Sequence, residues 1–151
     1  DGFDLAHGTV APHKFAEASS AVDKFLKSIG HSKSPYKLLA AIAIPNYSRA
    51  EQTTAHNQTM VNEAQIVCAL ERYRLAHGDY PETLDALSPQ FMETLLHDLI
   101  GGQPLIYRPT GDGKFLLYSV GWNEKDDGGI DSSEIKNASS PFAEGDWVWK
   151  N

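Results

Sequence analysis

NYSRAEQTTAHNQTMVNEAQIVCALERYRLAHGDYP, positions 46–81, decides how the rest of the chain is read. Met60, Ala64, Val67 and Leu70 or Glu71 recur at threes and fours, and Ile66, Leu70 and Tyr73 widen the stripe. An apolar face about 100° broad is what a helix shows when it rests on a sheet. Gly78 is placed to end it, because glycine accepts the left-handed geometry of a helix terminus without steric cost.

The helix extends upstream. From Tyr36 through LLAAIAI the pattern is already helical, with Pro45 expected to kink or restart it by removing a backbone donor. Before that, PHKFAEASSAVDKFLKSIG (12–30) carries Phe15, Ala18, Val22, Phe25 (or Leu26) and Ile29 at helical spacing, with Gly30 as terminator. HSKSP then reads as a linker in which Pro35 pushes Ser34 out of helical geometry. The first eleven residues have no period and read as loop.

Downstream the character changes. PETLDAL and SPQFMETLL suggest two short helical turns, with Ser88 as a cap and Pro89 at the first helical position. HDLIGGQ makes a turn, PLIYR and KFLLYSV are strands joined by PTGDG, and Asp146–Trp149 returns as a short third strand. Helices first and antiparallel strands afterwards give an α+β fold, a long helix on a small three- to four-stranded antiparallel sheet, preceded by an extra helix.

Composition excludes more than it proposes. A chain of 151 residues, 41% hydrophobic and 22% charged, suits a globular domain. Its net charge of -7 is wrong for a general nucleic-acid binder or for docking on anionic lipid. The longest apolar run, Leu38–Ile44, falls short of the roughly 20 residues a bilayer span needs. Cys68, the only cysteine, forms no internal disulfide and reads as a buried, inert thiol in an apolar helix.

No enzyme constellation stands out. His7, His13, His31, His56, His77 and His97 make no zinc spacing, and GxGxxG, P-loop and GxSxG motifs are missing. Glu82 and Asp85 read as a solvated helix face rather than the facing acids of a glycosidase. Trp147 and Trp149 alternate onto one side of a strand and, with Trp122, allow a sugar-stacking reading; burial explains them better.

LYSVGWNEKDDGG (117–129) passes from strand into acids, amide and glycines. Ser119, Asn123, Asp126, Asp127 and Asp131 offer oxygen donors of the kind calcium takes, without the EF-hand order. Asp, Asn and Gly are equally what a sharp turn takes.

Several motifs together resemble the type IV pilins and the major pseudopilin of type II secretion. KLLAAIAIPNYSRAEQ is similar to the family's I-L-A-A-I-A-I-P-N-Y-x-R-A. ALERYRLAHGDYP resembles A-L-x-x-Y-x-x-x-x-G-x-Y-P, DLIGGQPLIY resembles D-P-W-G-x-P-Y-x-Y, LYSVGWNEKDDGG resembles S-x-G-x-D-G-x-x-G-G, and GDWVW its closing Asp and Trp. The matches keep their order from Lys37 to Trp149. The resemblance implies a pseudopilin-like domain over 37–151, after an N-terminal helical extension and linker over 1–36. It implies a non-enzymatic structural or assembly role in a bacterial envelope system, on the periplasmic side, with an anchor upstream of Asp1. Partners would be other pseudopilin-like or envelope proteins, self-assembly included. It also implies a calcium loop held by the Leu117 carbonyl, Ser119, Asn123, Asp126, Asp127 and Asp146. The alternative is a glycan- or peptide-binding module reusing the fold within a larger envelope protein. Departures are plain: Asn123 stands for an aspartate, Leu99 for a proline, one glycine is added, and HSKSPYK replaces the apolar start.

Overall fold

A computed structural model describes residues 2–4, 8–28, 35–135 and 142–150; within 37–48 only the side chain of Leu39 is described. The long helix α2 runs Pro35–His77 and continues unbroken through Pro45, so no restart occurs there. It ends where the Gly78 amide donates to the Arg74 carbonyl at 2.8 Å with Gly78 at φ +94. Helix α1 spans Pro12–Ser28. The positions expected of the first helix and linker, Val22, Phe25 or Leu26, Ile29, Gly30 and residues 31–34, lie outside the described residues and side chains.

Three antiparallel strands form the sheet that α2 crosses. They are β3 (Ile106–Pro109), β4 (Phe115–Ser119) and β5 (Trp147–Val148), in the order β3-β4-β5. Tyr107 pairs with Leu117, and Ser119 pairs with Trp147. The hairpin turn closes as expected of Asp-Gly, with the Lys114 amide donating to Asp112 at 3.2 Å. The fold class is therefore α+β, with a long helix on a three-stranded antiparallel sheet.

The core has two parts. Ile66, Ala69 and Leu70 of α2 meet Leu84, Leu87, Leu105, Phe115 and Leu117, with Tyr73, Phe91 and Trp149 packed around them. Nearer the C-terminal loop, Ala55 of α2 meets Val10, Ile100 and Trp147. The face of α2 that is buried runs Ala55, Thr59, Glu63, Ile66, Leu70, spaced by fours and threes. Two of those five are polar, so the stripe differs from the apolar one read in sequence. Met60, Ala64 and Val67 sit at its half-buried edge.

Other expectations are corrected. Residues 2–10 are not all loop: β1 (Phe3–Asp4) pairs antiparallel with β2 (Thr9–Val10), and Val10 is buried in the core. Backbone bonds hold it there, Val10 donating to Leu99 at 2.8 Å and Gly101 to Val10 at 3.1 Å. PETLDAL supplies one 3-10 turn, Leu84–Leu87. Ser88 ends that turn rather than starting a helix, since its extended backbone (ψ 142) donates back to Asp85. Residues 88–91 form turns, with the Phe91 amide returning to the Leu87 carbonyl at 2.8 Å. Cys68 is exposed, because positions 61, 65 and 68 face away from the sheet. No described helix is long and apolar enough to cross a membrane.

Candidate metal loop and buried carboxylates

The C-terminal loop is folded around Asp146, which is wholly buried. Its Oδ1 accepts the Asp127 amide at 3.2 Å and its Oδ2 accepts the Gly129 amide at 2.6 Å. Its own amide donates to Ile130 and its carbonyl accepts from Ser132. Burial raises the Asp146 pKa, and the charges of Asp127 and Asp126 push it the same way against those two amides.

The other predicted ligands divide into two groups. Asn123 donates to Asp127 at 2.8 Å and accepts the Lys125 amide at 3.0 Å. Asp126 accepts the Tyr118 hydroxyl and the Gly128 amide, both at 2.9 Å. Burial, then the neighbouring Asp126, pushes the Tyr118 hydroxyl up to about 12, so it stays a donor. Asn123, Asp126, Asp127 and Asp146 thus share one loop. Ser119 and Leu117 do not join them. The Leu117 carbonyl accepts the Trp149 amide at 3.0 Å, while the Ser119 hydroxyl turns to Asp98. Among the described residues no three acids, histidines or cysteines are arranged to hold a metal ion.

The loop backbone needs its glycines. Gly121 sits at φ +68, and a Cβ there would meet the Gly145 carbonyl oxygen at 2.4 Å. Glu124 takes φ 58 without being glycine. Its carboxylate meets His13 Nδ1 of α1 at 2.9 Å, and Phe15 lies 5.8 Å from Trp122, ring centre to ring centre. The N-terminal segment therefore touches the loop directly.

Beneath the loop lies a second group of acids that sequence reasoning missed. Asp98, in the turn before β3, is 3% exposed; its Oδ1 accepts from Ser119 Oγ at 2.8 Å and from the Ile100 amide at 2.9 Å, and its Oδ2 from the Val120 amide at 3.3 Å. Glu63 of α2 is 0% exposed, and neither of its carboxyl oxygens has a hydrogen-bond partner among the described residues. Burial, and then the charge of Asp98, lifts its pKa to about 9; the Ser119 amide pulls weakly the other way without a well-formed bond. Burial likewise raises Asp98. The signal in sequence was position: Glu63 precedes Ile66 by three residues and Leu70 by seven, on the same face.

The tryptophans point inward. Trp147 is 1% exposed, edge-on to His56 at 5.2 Å, and its indole N–H donates to the Phe142 carbonyl at 3.4 Å. Burial lowers the His56 pKa, as expected for an imidazole stacked on Phe142 at 4.2 Å. Trp149 packs against the Ile66–Leu117 cluster. Trp122, half-buried beside Phe15, and Trp149, half-buried as well, each keep part of a face open.

Comparison with known proteins adds no relative: no family model, no curated protein and no solved structure matches the chain.

Proposed function

We propose that this chain is a non-enzymatic, pseudopilin-like structural domain of a bacterial envelope assembly, its C-terminal loop ordered by calcium. The observation that carries the reading is the loop anchored on Asp146 at the end of a sheet crossed by α2. In this reading Pro45 bends α2 and α1 is an addition to the family plan. Asp126, Asp127 and Asp146 stand in one loop without the spacing of a formed site, and a divalent cation that drew them together would relieve the repulsion felt at Asp146. Asn123 positions Asp127 for that role. Ser119 and Leu117 support the loop from the strand without contacting the ion.

Assembly is tested through Cys68, a single thiol exposed on the outer face of α2. A bismaleimide added to envelopes carrying the full-length gene product should give a band at twice the monomer mass, the largest species that one thiol per chain allows. A single monomeric band would count against assembly through this face. The alternative, a glycan- or peptide-binding module, is less well supported because Trp147 and Trp149 are used in packing.

A further inference from the structure

The buried polar stripe of α2 calls for its own explanation. Thr59 (1% exposed) and Glu63 (0%) stand one turn apart on the face turned to the sheet. The Thr59 hydroxyl and both Glu63 oxygens lack a hydrogen-bond partner among the described residues. Groups buried so completely are destabilising unless something pairs with them. Both acids lie against Ser119, whose hydroxyl Asp98 holds at 2.8 Å and whose amide faces Glu63, and among the described residues Asp98 Oδ2 accepts one amide, at 3.3 Å. None of the ion pairs among the described residues involves either acid.

We propose that Glu63, Thr59 and Asp98 form an internal site for a divalent hard cation, between α2 and the turn before β3, separate from the C-terminal loop. The donors are all oxygen: two from Glu63, the Thr59 hydroxyl and Asp98 Oδ2. That set suits calcium or magnesium, with water completing the shell, and offers nothing to a soft metal. Two carboxylates match a double positive charge, and the low-dielectric surroundings strengthen the attraction. The bound ion would tie α2 to the segment that holds Ser119, because Asp98 grips the Ser119 hydroxyl, Ile100 and Val120. It would thereby brace the strand from which the loop departs. The competing arrangement is a protonated Glu63 with no ion.

Melting curves in chelator, in millimolar calcium and in millimolar magnesium separate the two, run on four proteins: wild type, Glu63→Gln, Asp126→Asn/Asp127→Asn, and the triple variant. The loop double variant should keep a cation-dependent rise of at least about 3 °C, which the triple variant loses. Calorimetric titration of the loop double variant should show close to one ion bound per chain. A loop variant with no thermal response and no binding heat overturns the internal site. So does a triple variant that responds as the double does. Glu63→Gln alone reads the loop independently, so failure of the internal site leaves the calcium loop reading intact. Folding of each variant is checked by its cooperative transition in chelator, where Glu63→Gln removes only a proton-binding group.

Discussion

The Ser119 hydroxyl donates to Oδ1 of Asp98 across 2.8 Å, and both side chains are buried. That bond joins the last residue of β4 to the turn before β3, and Ser119 Oγ passes the connection on by accepting the Gly121 amide at 3.1 Å. Replacing Asp98 by alanine leaves the Ser119 hydroxyl and the Ile100 and Val120 amides without their acceptor. Each orphaned buried donor costs about 1–3 kcal/mol, so a loss of roughly 3 kcal/mol or more is expected. Urea unfolding of Asp98→Ala checks it.

Glu63 makes stability depend on pH in an uncommon direction. Its folded pKa, about 9, lies above the ordinary 4.5, so the folded state holds the proton more tightly. The contribution is complete below about 4.5 and is lost as pH rises toward 9. In chelator, wild-type stability should therefore fall between these limits, by up to about 1.4 kcal/mol per pH unit. Glu63→Gln should flatten the fall and be the more stable protein at pH 8. A denaturation series from pH 5 to pH 9 reads both.

Gly121 is expected to reject even alanine. The added Cβ meets backbone oxygen at 2.4 Å, and the left-handed φ adds strain of its own. Gly121→Ala should cost about 2–4 kcal/mol by thermal melting. Gly128→Ala, at φ +78 with nothing within 4 Å, should cost about 1 kcal/mol.

Val10 and His13 both attach the N-terminal segment, with unequal weight. Val10 is 2% exposed beside Ala55, Ile100 and Trp147, so Val10→Ala should cost about 2 kcal/mol. The His13–Glu124 contact is largely open to solvent, and His13→Ala should cost less than about 1 kcal/mol and vary with salt. Paired melts at low and high ionic strength distinguish them.

The main outline was legible because strong local signals agreed with the tertiary arrangement. Gly78 ends α2, Asp112-Gly113 turns the hairpin, and Trp147 closes the sheet. The β1–β2 hairpin was not legible, since strands of two residues carry no period and Val10 is held by long-range bonds to Leu99 and Gly101. Ser88-Pro89 mimicked a helix start, yet its neighbours Leu84 and Leu87 are consumed in the core and leave it as the end of a turn. On α2 an amphipathic reading assigns apolar residues inward, so it could not place Thr59 and Glu63 at the centre of the buried face or Cys68 outside it. In the candidate site, Asn123, Asp126 and Asp127 stood out by residue type and Asp146 by the family resemblance; Asp98 and Glu63 act through burial, which composition does not display.

The calcium-ordered loop is tested most directly by thermal melting of Glu63→Gln, in which the internal carboxylate is gone, with calcium and with chelator. Calcium at about a hundred times its Kd should add roughly 2.7 kcal/mol. At about 2–4 °C per kcal/mol for a chain of this size, that raises the Tm by roughly 5–10 °C. Asp126→Asn/Asp127→Asn in the same background should abolish the rise. Coincident midpoints in millimolar calcium and in chelator would contradict the account.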